Sequence, residues 1–160
     1  MKKNALLMFC LMPLWLCAQT YKMYQTQNYH NQLRLNTATG EVLQVQDDGQ
    51  SWKICSEMEI DGKEDNRFCL YETQNMWTFI MLDSFTGKLW QVQYSTQSRD
   101  DILCVSINDQ VLESGEESIF TIQPMTSMYQ YYLISNKSGA MWKFQWTTKG
   151  PDYRWITKIN

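Results

Sequence analysis

Residues 70–75 of this chain read LYETQN, and residues 23–28 read MYQTQN. Both stretches open a longer unit, and the two units carry Thr86-Gly87 and Thr39-Gly40 at matching positions. A third copy has Ser138-Gly139 at the same place, and the three copies align without a gap over roughly 26 residues. The copies recur at about 47 to 52 residues, a period that is typical of repeat arrays and propellers. The sequence therefore predicts three equivalent structural units.

Each unit is predicted to form four short antiparallel strands. In the second unit, apolar and polar residues alternate over short runs that tight turns separate. This is the pattern of antiparallel strands joined by hairpins. Gly87 lies in one of the turns and suits a positive φ. The strands expected in this unit are Arg67–Thr73, Met76–Asp83, Lys88–Tyr94 and Ile102–Ile107.

The stretch from Leu82 to Trp90, which reads LDSFTGKLW, resembles the tryptophan-docking repeat of quinoprotein-type β-propellers. In that repeat a strand ends in aspartate, the turn contains threonine and glycine, and the next strand carries a tryptophan. Asp83, Thr86, Gly87 and Trp90 match these positions. The resemblance implies a blade-like four-stranded sheet. It implies no quinone, because the family's cofactor residues have no matching positions, and the sequence predicts no other cofactor.

The other two copies match the same repeat in part. The third copy keeps the glycine and the tryptophan but replaces the aspartate, and the first copy replaces both the aspartate and the tryptophan. The matching residues are Ser138, Gly139 and Trp142 in the third copy and Thr39 and Gly40 in the first; Ser135, Asn36 and Leu43 depart.

The predicted architecture is an all-β, propeller-like array of three four-stranded antiparallel repeats. A β-trefoil is the alternative, since it also uses three four-stranded repeats in a chain of this size. Propellers usually have four to eight blades, which is more than the three units predicted here. Two arrangements would help such a short array to close into a ring. The last strand, Arg154–Ile159, could complete the first unit as a clasp, or two chains could join as a homodimer with six blades.

The N-terminal residues are predicted to be a secretory signal peptide. Lys2 and Lys3 precede an apolar stretch, Ala5–Leu16, that is too short to span a membrane, and Ala18 suits cleavage before Gln19. The alternatives are a short membrane anchor and a bacterial lipoprotein acylated at Cys17. The expected organisation is a leader at residues 1–18 and one domain at 19–160, with units at about 19–66, 67–117 and 118–160. The expected location is periplasmic or secreted, or lipid-anchored at the envelope if Cys17 is acylated.

The charge balance excludes one class of partner. Without Lys2 and Lys3, 12 basic residues remain against 17 acidic ones, a formal charge of −5. Because the chain has no cluster of lysine or arginine, nucleic-acid binding is not expected.

Three cysteines follow the leader, at Cys55, Cys69 and Cys104. In an oxidising compartment they allow one disulfide and leave one thiol. Cys55 and Cys69 lie on strands expected to be consecutive and antiparallel, so they are predicted to pair. The alternative is three buried thiols that pack as small apolar groups.

The sequence contains no recognisable catalytic or metal-binding constellation. His30 is the only histidine and aligns with Trp77 and Tyr129, so it is predicted to replace an aromatic ring. Pairs of acids, including Asp100-Asp101, fall in expected loops without the ligand spacing of a calcium site. No catalytic residue and no bound metal are therefore expected.

Repeated aromatic and amide residues are the candidates for ligand binding. Trp90 and Trp142 recur after the turn glycine and are predicted to lie in the core. Glutamines recur on one face of the strands that follow, and beside aromatic rings they could bind a sugar or a peptide. The alternative is an ordinary solvated sheet face. The candidate ligand-binding residues are Trp77, Tyr129, Tyr131, Trp146, Gln91 and Gln93.

These observations predict a non-catalytic binding or scaffold protein outside the cytoplasm, with an unknown protein, peptide or glycan as partner. One alternative is an inhibitor or immunity-type protein whose acidic loops cap a basic partner. Another is a hydrolase that uses loop carboxylates such as Asp100 and Asp101.

Overall fold

The computed structural model describes residues 20–111 and 119–159, where the chain forms three four-stranded antiparallel sheets. This arrangement confirms the predicted all-β fold of three repeats. The first sheet contains β1 (Tyr21–Gln25), β2 (Asn31–Asn36), β3 (Val42–Gln46) and β4 (Ser51–Cys55). The second contains β5 (Phe68–Glu72), β6 (Thr78–Asp83), β7 (Leu89–Gln93) and β8 (Leu103–Ser106). The third contains β9 (Phe120–Pro124), β10 (Gln130–Ser135), β11 (Met141–Gln145) and β12 (Trp155–Ile159).

The expected leader at residues 1–18, including Cys17, lies outside the described residues. Within the described part of the chain, no helix is both long and apolar enough to cross a membrane. The only helices there are two single turns of 3-10 helix, at Arg99–Asp101 and Pro151–Tyr153.

Strand pairing stays within each unit. The strand orders are β1-β2-β3-β4, β5-β6-β7-β8 and β9-β10-β11-β12, so each sheet is a meander of consecutive strands. A trefoil would instead combine strands of all three units in one barrel. The clasp suggested for the last strand is wrong, because β12 pairs with β11, with Met141 opposite Ile159. The hairpin connection keeps the last strand beside its neighbour in sequence.

The aligned glycines occupy equivalent turns between the second and third strands of each sheet, as predicted. Gly40, Gly87 and Gly139 have φ values of 75°, 70° and 72°, a region that is open to glycine at little cost. Each glycine amide donates to the carbonyl four residues earlier, at 2.9, 2.9 and 2.8 Å. The repeat in sequence is therefore a repeat in backbone conformation.

The residue that ends the second strand stabilises each turn with a side-chain oxygen. This role explains why aspartate, asparagine and serine replace one another there, since each offers an acceptor to the backbone that follows. The bonds are Phe85 N to Asp83 Oδ1 at 3.0 Å, Ala38 N to Asn36 Oδ1 at 3.0 Å and Ser138 N to Ser135 Oγ at 3.3 Å.

The sheets pack face to face in sequence order, and the second sheet lies between the other two. All six residues of β6 are buried, because alternate side chains enter two different cores. The core between the first and second sheets includes Leu33, Leu35, Val42, Phe68, Met81, Val92 and Tyr94. The core between the second and third includes Ile80, Leu82, Leu89, Phe120, Leu133, Phe144 and Trp146.

A phenylalanine packs against the turn glycine of the preceding unit in both interfaces. A Cβ atom on Gly40 would lie 3.1 Å from the ring of Phe68, and one on Gly87 would lie 3.2 Å from the ring of Phe120. The Phe68 amide donates to the Thr37 carbonyl in the turn of the first unit at 2.8 Å, and the Phe120 amide donates to the Ser84 carbonyl in the turn of the second unit, also at 2.8 Å. The glycines are thus required by spacing as well as by φ.

The aspartate of the second turn also holds a buried ion pair. Arg67 Nε and Nη2 donate to the two carboxylate oxygens of Asp83 at 3.0 and 2.8 Å. The side chains are 7% and 2% exposed. Arg67 Nη1 donates to the Asp61 carbonyl at 2.9 Å, so the pair also fixes the loop before the second sheet.

The disulfide joins Cys55 to Cys104, with their Cα atoms 5.5 Å apart, and Cys69 is free. The predicted pairing of Cys55 with Cys69 is therefore wrong. Side chains alternate along β5, so Phe68 and Leu70 face the first sheet while Cys69, opposite Leu82, faces the third. Desolvation raises the pKa of the Cys69 thiol, an effect that Lys22 partly offsets.

The two motif tryptophans occupy equivalent places but differ in burial. The rings of Phe68 and Trp90 lie 6.1 Å apart, and those of Phe120 and Trp142 lie 5.8 Å apart. Trp90 is 7% exposed, whereas Trp142 is half-buried at the edge of its core. The prediction of a core position is thus confirmed for Trp90 and holds only in part for Trp142.

Loss of the disulfide should destabilise the protein. Cys55→Ala and Cys104→Ala each open a link between residues 49 positions apart, and we expect each to lower the free energy of unfolding by about 2–4 kcal/mol. Urea denaturation of the oxidised protein measures this change. Cys69→Ala is the matched control, and a loss as large as that of Cys55→Ala would contradict the assigned pairing.

The difference in burial predicts unequal effects at the two tryptophans. We expect Trp90→Ala to cost about 3–5 kcal/mol of unfolding free energy, as for a large-to-small change in a core. Trp142→Ala should cost about 1–2 kcal/mol, because less of its ring leaves water on folding. Thermal melts of both variants compare the two positions, and an equal or reversed order would be inconsistent with this packing.

Candidate functional site

The three sheets share one structural position just before the second strand and just after the third. It is occupied by His30 and Asp47 in the first unit, Trp77 and Tyr94 in the second, and Tyr129 and Trp146 in the third. In every unit the later residue's amide donates to the earlier residue's carbonyl at 3.1 Å. The backbone is thus conserved among the units, while the side-chain chemistry differs.

The side chains at this position form an interacting pair in each unit. The rings of Trp77 and Tyr94 lie 5.3 Å apart, and those of Tyr129 and Trp146 lie 5.0 Å apart. In the first unit, His30 Nδ1 lies 2.7 Å from Asp47 Oδ2 instead, and both side chains are exposed. His30 therefore occupies the aromatic position, as the alignment predicts.

The second unit has a cleft at this position, with a volume of about 180 Å³. Trp77 and the turn after β7 both contribute to its lining, together with Asp101 of the 3-10 helix Arg99–Asp101. The start of this helix is fixed by Ser98, whose hydroxyl accepts a hydrogen bond from the Asp100 amide at 3.1 Å. The lining residues are Trp77, Gln93, Tyr94, Ser95, Thr96, Gln97 and Asp101.

Gln93 is positioned by its strand and by one hydrogen bond. It is the last residue of β7, opposite Thr78 in β6, so its side chain emerges where the sheet ends. Its Nε2 donates to the Asp101 carbonyl at 3.0 Å. This bond orients the amide of a residue that lines the cleft.

Tyr94 contributes a buried polar atom to the same region. Its side chain is 1% exposed, and its hydroxyl has no hydrogen-bond partner among residues 20–111 and 119–159. A buried hydroxyl without a partner is costly, and a bound water or ligand group commonly satisfies it.

The third unit has a related but different arrangement. Tyr129 is 36% exposed, and Gln145 Nε2 donates to the Tyr153 carbonyl at 3.1 Å, as Gln93 does to Asp101. Here, however, Gln130 Nε2 donates to Gln145 Oε1 at 2.9 Å. The amide oxygen is thus already engaged within the sheet, unlike the arrangement in the second unit.

Three of the candidate ligand-binding residues lie in the core, which corrects that prediction. Tyr131 is 4% exposed and stacks on Phe144 with ring centroids 5.6 Å apart, and burial raises the pKa of its hydroxyl. Trp146 is fully buried and donates from Nε1 to the Met128 carbonyl at 3.0 Å. Gln91 is also fully buried.

Gln91 joins the second unit to the third. Its Oε1 accepts from the Thr147 amide at 3.4 Å and from Arg154 Nε at 3.1 Å. Burial lowers the pKa of Arg154. Gln44 has the same role one unit earlier, where Nε2 donates to the Ser95 carbonyl at 2.9 Å. The glutamine face is therefore a buried interface at Gln44 and Gln91, whereas Gln46, Gln93 and Gln145 are half-buried.

Trp77 and Gln93 are the two candidate residues that the structure brings together in a cleft. Sequence reasoning missed Tyr94, although its alignment with Trp146 marks it as part of the repeat. It also treated Asp101 only as a loop carboxylate, because nothing in the sequence places the 3-10 helix against β7.

The residues that line the cleft include Trp77, Gln93 and Asp101, whose side chains are an indole, an amide and a carboxylate. These groups can stack against an apolar ring face and exchange hydrogen bonds with hydroxyl groups. Asp100 and Asp101 are both exposed. Among residues 20–111 and 119–159, no three His, Cys, Asp or Glu side chains are grouped as metal ligands would be.

Comparison of the chain with models of protein families, with curated proteins and with solved structures found no match.

Proposed function

We propose that this protein is a non-catalytic binding module that acts outside the cytoplasm and takes a small carbohydrate in the cleft of its second sheet. The observation that carries the proposal is the convergence of Trp77, Gln93 and Asp101 on one cleft. A sugar ring has an apolar C–H face, which suits an indole, and an equatorial rim of hydroxyls, which suits an amide and a carboxylate.

The size of the cleft favours a small polar ligand. At about 180 Å³, it is smaller than the roughly 300–1,000 Å³ of sites that enclose drug-sized molecules. A terminal sugar of a glycan would fit with the rest of the glycan in solvent. The signal peptide expected at residues 1–18 supports a location where glycans are met.

The resemblance to tryptophan-docking blades is part of the same proposal. The resemblance is supported by the roles of the matching residues in turn formation and packing. Asp83 stabilises the turn, Gly87 leaves space for a ring of the third unit, and Trp90 packs in the core between the first and second sheets. The units would then be a scaffold whose turns and strand ends are free to vary, as the position of Trp77 does.

Loss of the indole should weaken carbohydrate binding. We expect Trp77→Ala to raise the dissociation constant about five- to thirtyfold, the equivalent of about 1–2 kcal/mol for truncation of an aromatic anchor. A glycan array with the purified protein identifies the sugar, and calorimetry with that sugar measures the change. Gln93→Ala should weaken binding as well, because it removes the amide from the cleft lining.

Tyr29→Ala is the matched control, because Tyr29 is 77% exposed and is not part of the cleft. Its affinity should equal that of the wild type. If no sugar binds, or if Trp77→Ala and Tyr29→Ala have equal effects, the proposal is wrong. Turnover of a substrate that is abolished by Asp100→Ala or Asp101→Ala would support the hydrolase alternative instead.

A further inference from the structure

Each sheet has a forward face toward the following unit and a backward face toward the preceding one. The forward faces of the first two sheets are fully buried, at Leu33 and Leu35 in one and Ile80 and Leu82 in the other. The equivalent residues of the third sheet, Tyr132 and Ile134, are only half-buried. The forward face of the third sheet is therefore an open version of a surface that the molecule buries twice.

The backward faces show the reverse pattern. Phe68 and Leu70 of the second sheet and Phe120 of the third are at most 5% exposed, because a preceding unit covers them. The equivalent residues of the first sheet, Tyr21 and Met23, are 51% and 48% exposed. One chain thus has two open faces. The backward face of the first sheet keeps Tyr21 and Met23 at the positions of Phe68 and Leu70, but β2 contributes Arg34 to it, which lies 5.0 Å over the Tyr21 ring and 3.7 Å from Glu41.

The turn glycines also indicate that the forward face of the third sheet is open. Cβ atoms on Gly40 and Gly87 would meet the rings of Phe68 and Phe120, whereas one on Gly139 would meet nothing within 4 Å among the described residues. The residue equivalent to those two phenylalanines in the first sheet is Tyr21. The repeat therefore places an aromatic ring at one open face and an empty turn at the other.

We propose that a second copy of this chain covers both open faces, so that two chains form a closed ring of six sheets. The forward face of each third sheet packs on the backward face of the other copy's first sheet, with Tyr21 against Gly139. The two contacts are related by a two-fold axis. Six sheets fall within the range of closed propellers, and closure covers Tyr21 and Met23 of one copy with Tyr132 and Ile134 of the other.

Charge at the open faces supports this occupant. Gln44 and Gln91 each reach the backbone of the following unit, at Ser95 and Thr147. In the third unit the position of these glutamines is Lys143. In the first unit the position of Ser95 and Thr147 is Asp48. In the proposed contact Lys143 of one copy therefore lies beside the turn of the other copy that contains Asp48, whose carboxylate also accepts from Gln50 within that turn. Opposite charges are then close at the place where Gln44 and Gln91 bond to a backbone.

Light scattering coupled to size-exclusion chromatography tests the ring on the purified full chain. The expected mass is about twice that of one chain, which is 19.0 kDa with the expected leader still attached, and the particle should not grow as concentration rises. A monomer at all accessible concentrations, or a mass that keeps increasing, would overturn the proposal. The second outcome would mean that head-to-tail contacts form an open filament.

Charge reversal tests the contact itself. We expect Lys143→Glu and Asp48→Lys each to raise the dissociation constant of the dimer about tenfold or more. The double variant should recover the dimer, because the pair is restored with its signs exchanged. Lys63→Glu, in the loop between the first two sheets, is the matched control and should leave the mass unchanged. Failure of the double variant to recover the dimer would contradict the assigned pair.

Two apolar-face variants separate head-to-tail contact from other dimers. Met23→Lys alters only the backward face of the first sheet, and Ile134→Lys alters only the forward face of the third. Both should give folded monomers, with circular dichroism and melting temperature checked for each. If only one of them dissociates the dimer, like faces pair with each other and the proposed ring is wrong.

Discussion

The close approach of one unit's phenylalanine to the preceding unit's turn glycine is the contact on which the whole arrangement depends. It requires a positive φ and the absence of a side chain at Gly40 and Gly87. It also lets the Phe68 and Phe120 amides bond to the turn before them. Together these constraints fix the spacing and order of the sheets, so the remaining core residues need only fill the space between them.

The sheets stack in sequence order, and for this reason equivalent residues of the three units are buried to different extents. The second sheet is covered on both sides, so its glutamine face became an interface in which Gln91 bonds to the third unit. Gln93, two residues further on, is the last residue of β7 and is only half-buried. The cleft lies where the strands of the second sheet end. Its side chains can vary because the backbone hydrogen bond between Tyr94 and Trp77, and its equivalents in the other units, do not depend on side-chain identity.

The repeat allowed the fold to be predicted from the sequence, because the strands and turns follow from the local periodicity and the turn glycines follow from their preference for positive φ. What the periodicity could not reveal is which neighbour covers each face. For that reason Tyr131, Trp146 and Gln91 were expected at a surface and lie in the core. Trp77 and Gln93 were predicted as an aromatic ring beside the repeated glutamines, and both line the cleft because they lie at strand ends. The contribution of Asp101 depends on a 3-10 turn that no sequence pattern predicts.

The order of the sheets is tested most directly by the disulfide, because Cys55 and Cys104 lie on facing sheets while Cys69 points to the opposite side. Peptide mapping of the unreduced protein by mass spectrometry should find a peptide linking Cys55 to Cys104 and an unlinked Cys69. A link between Cys55 and Cys69, or between Cys69 and Cys104, would contradict the face-to-face packing described above.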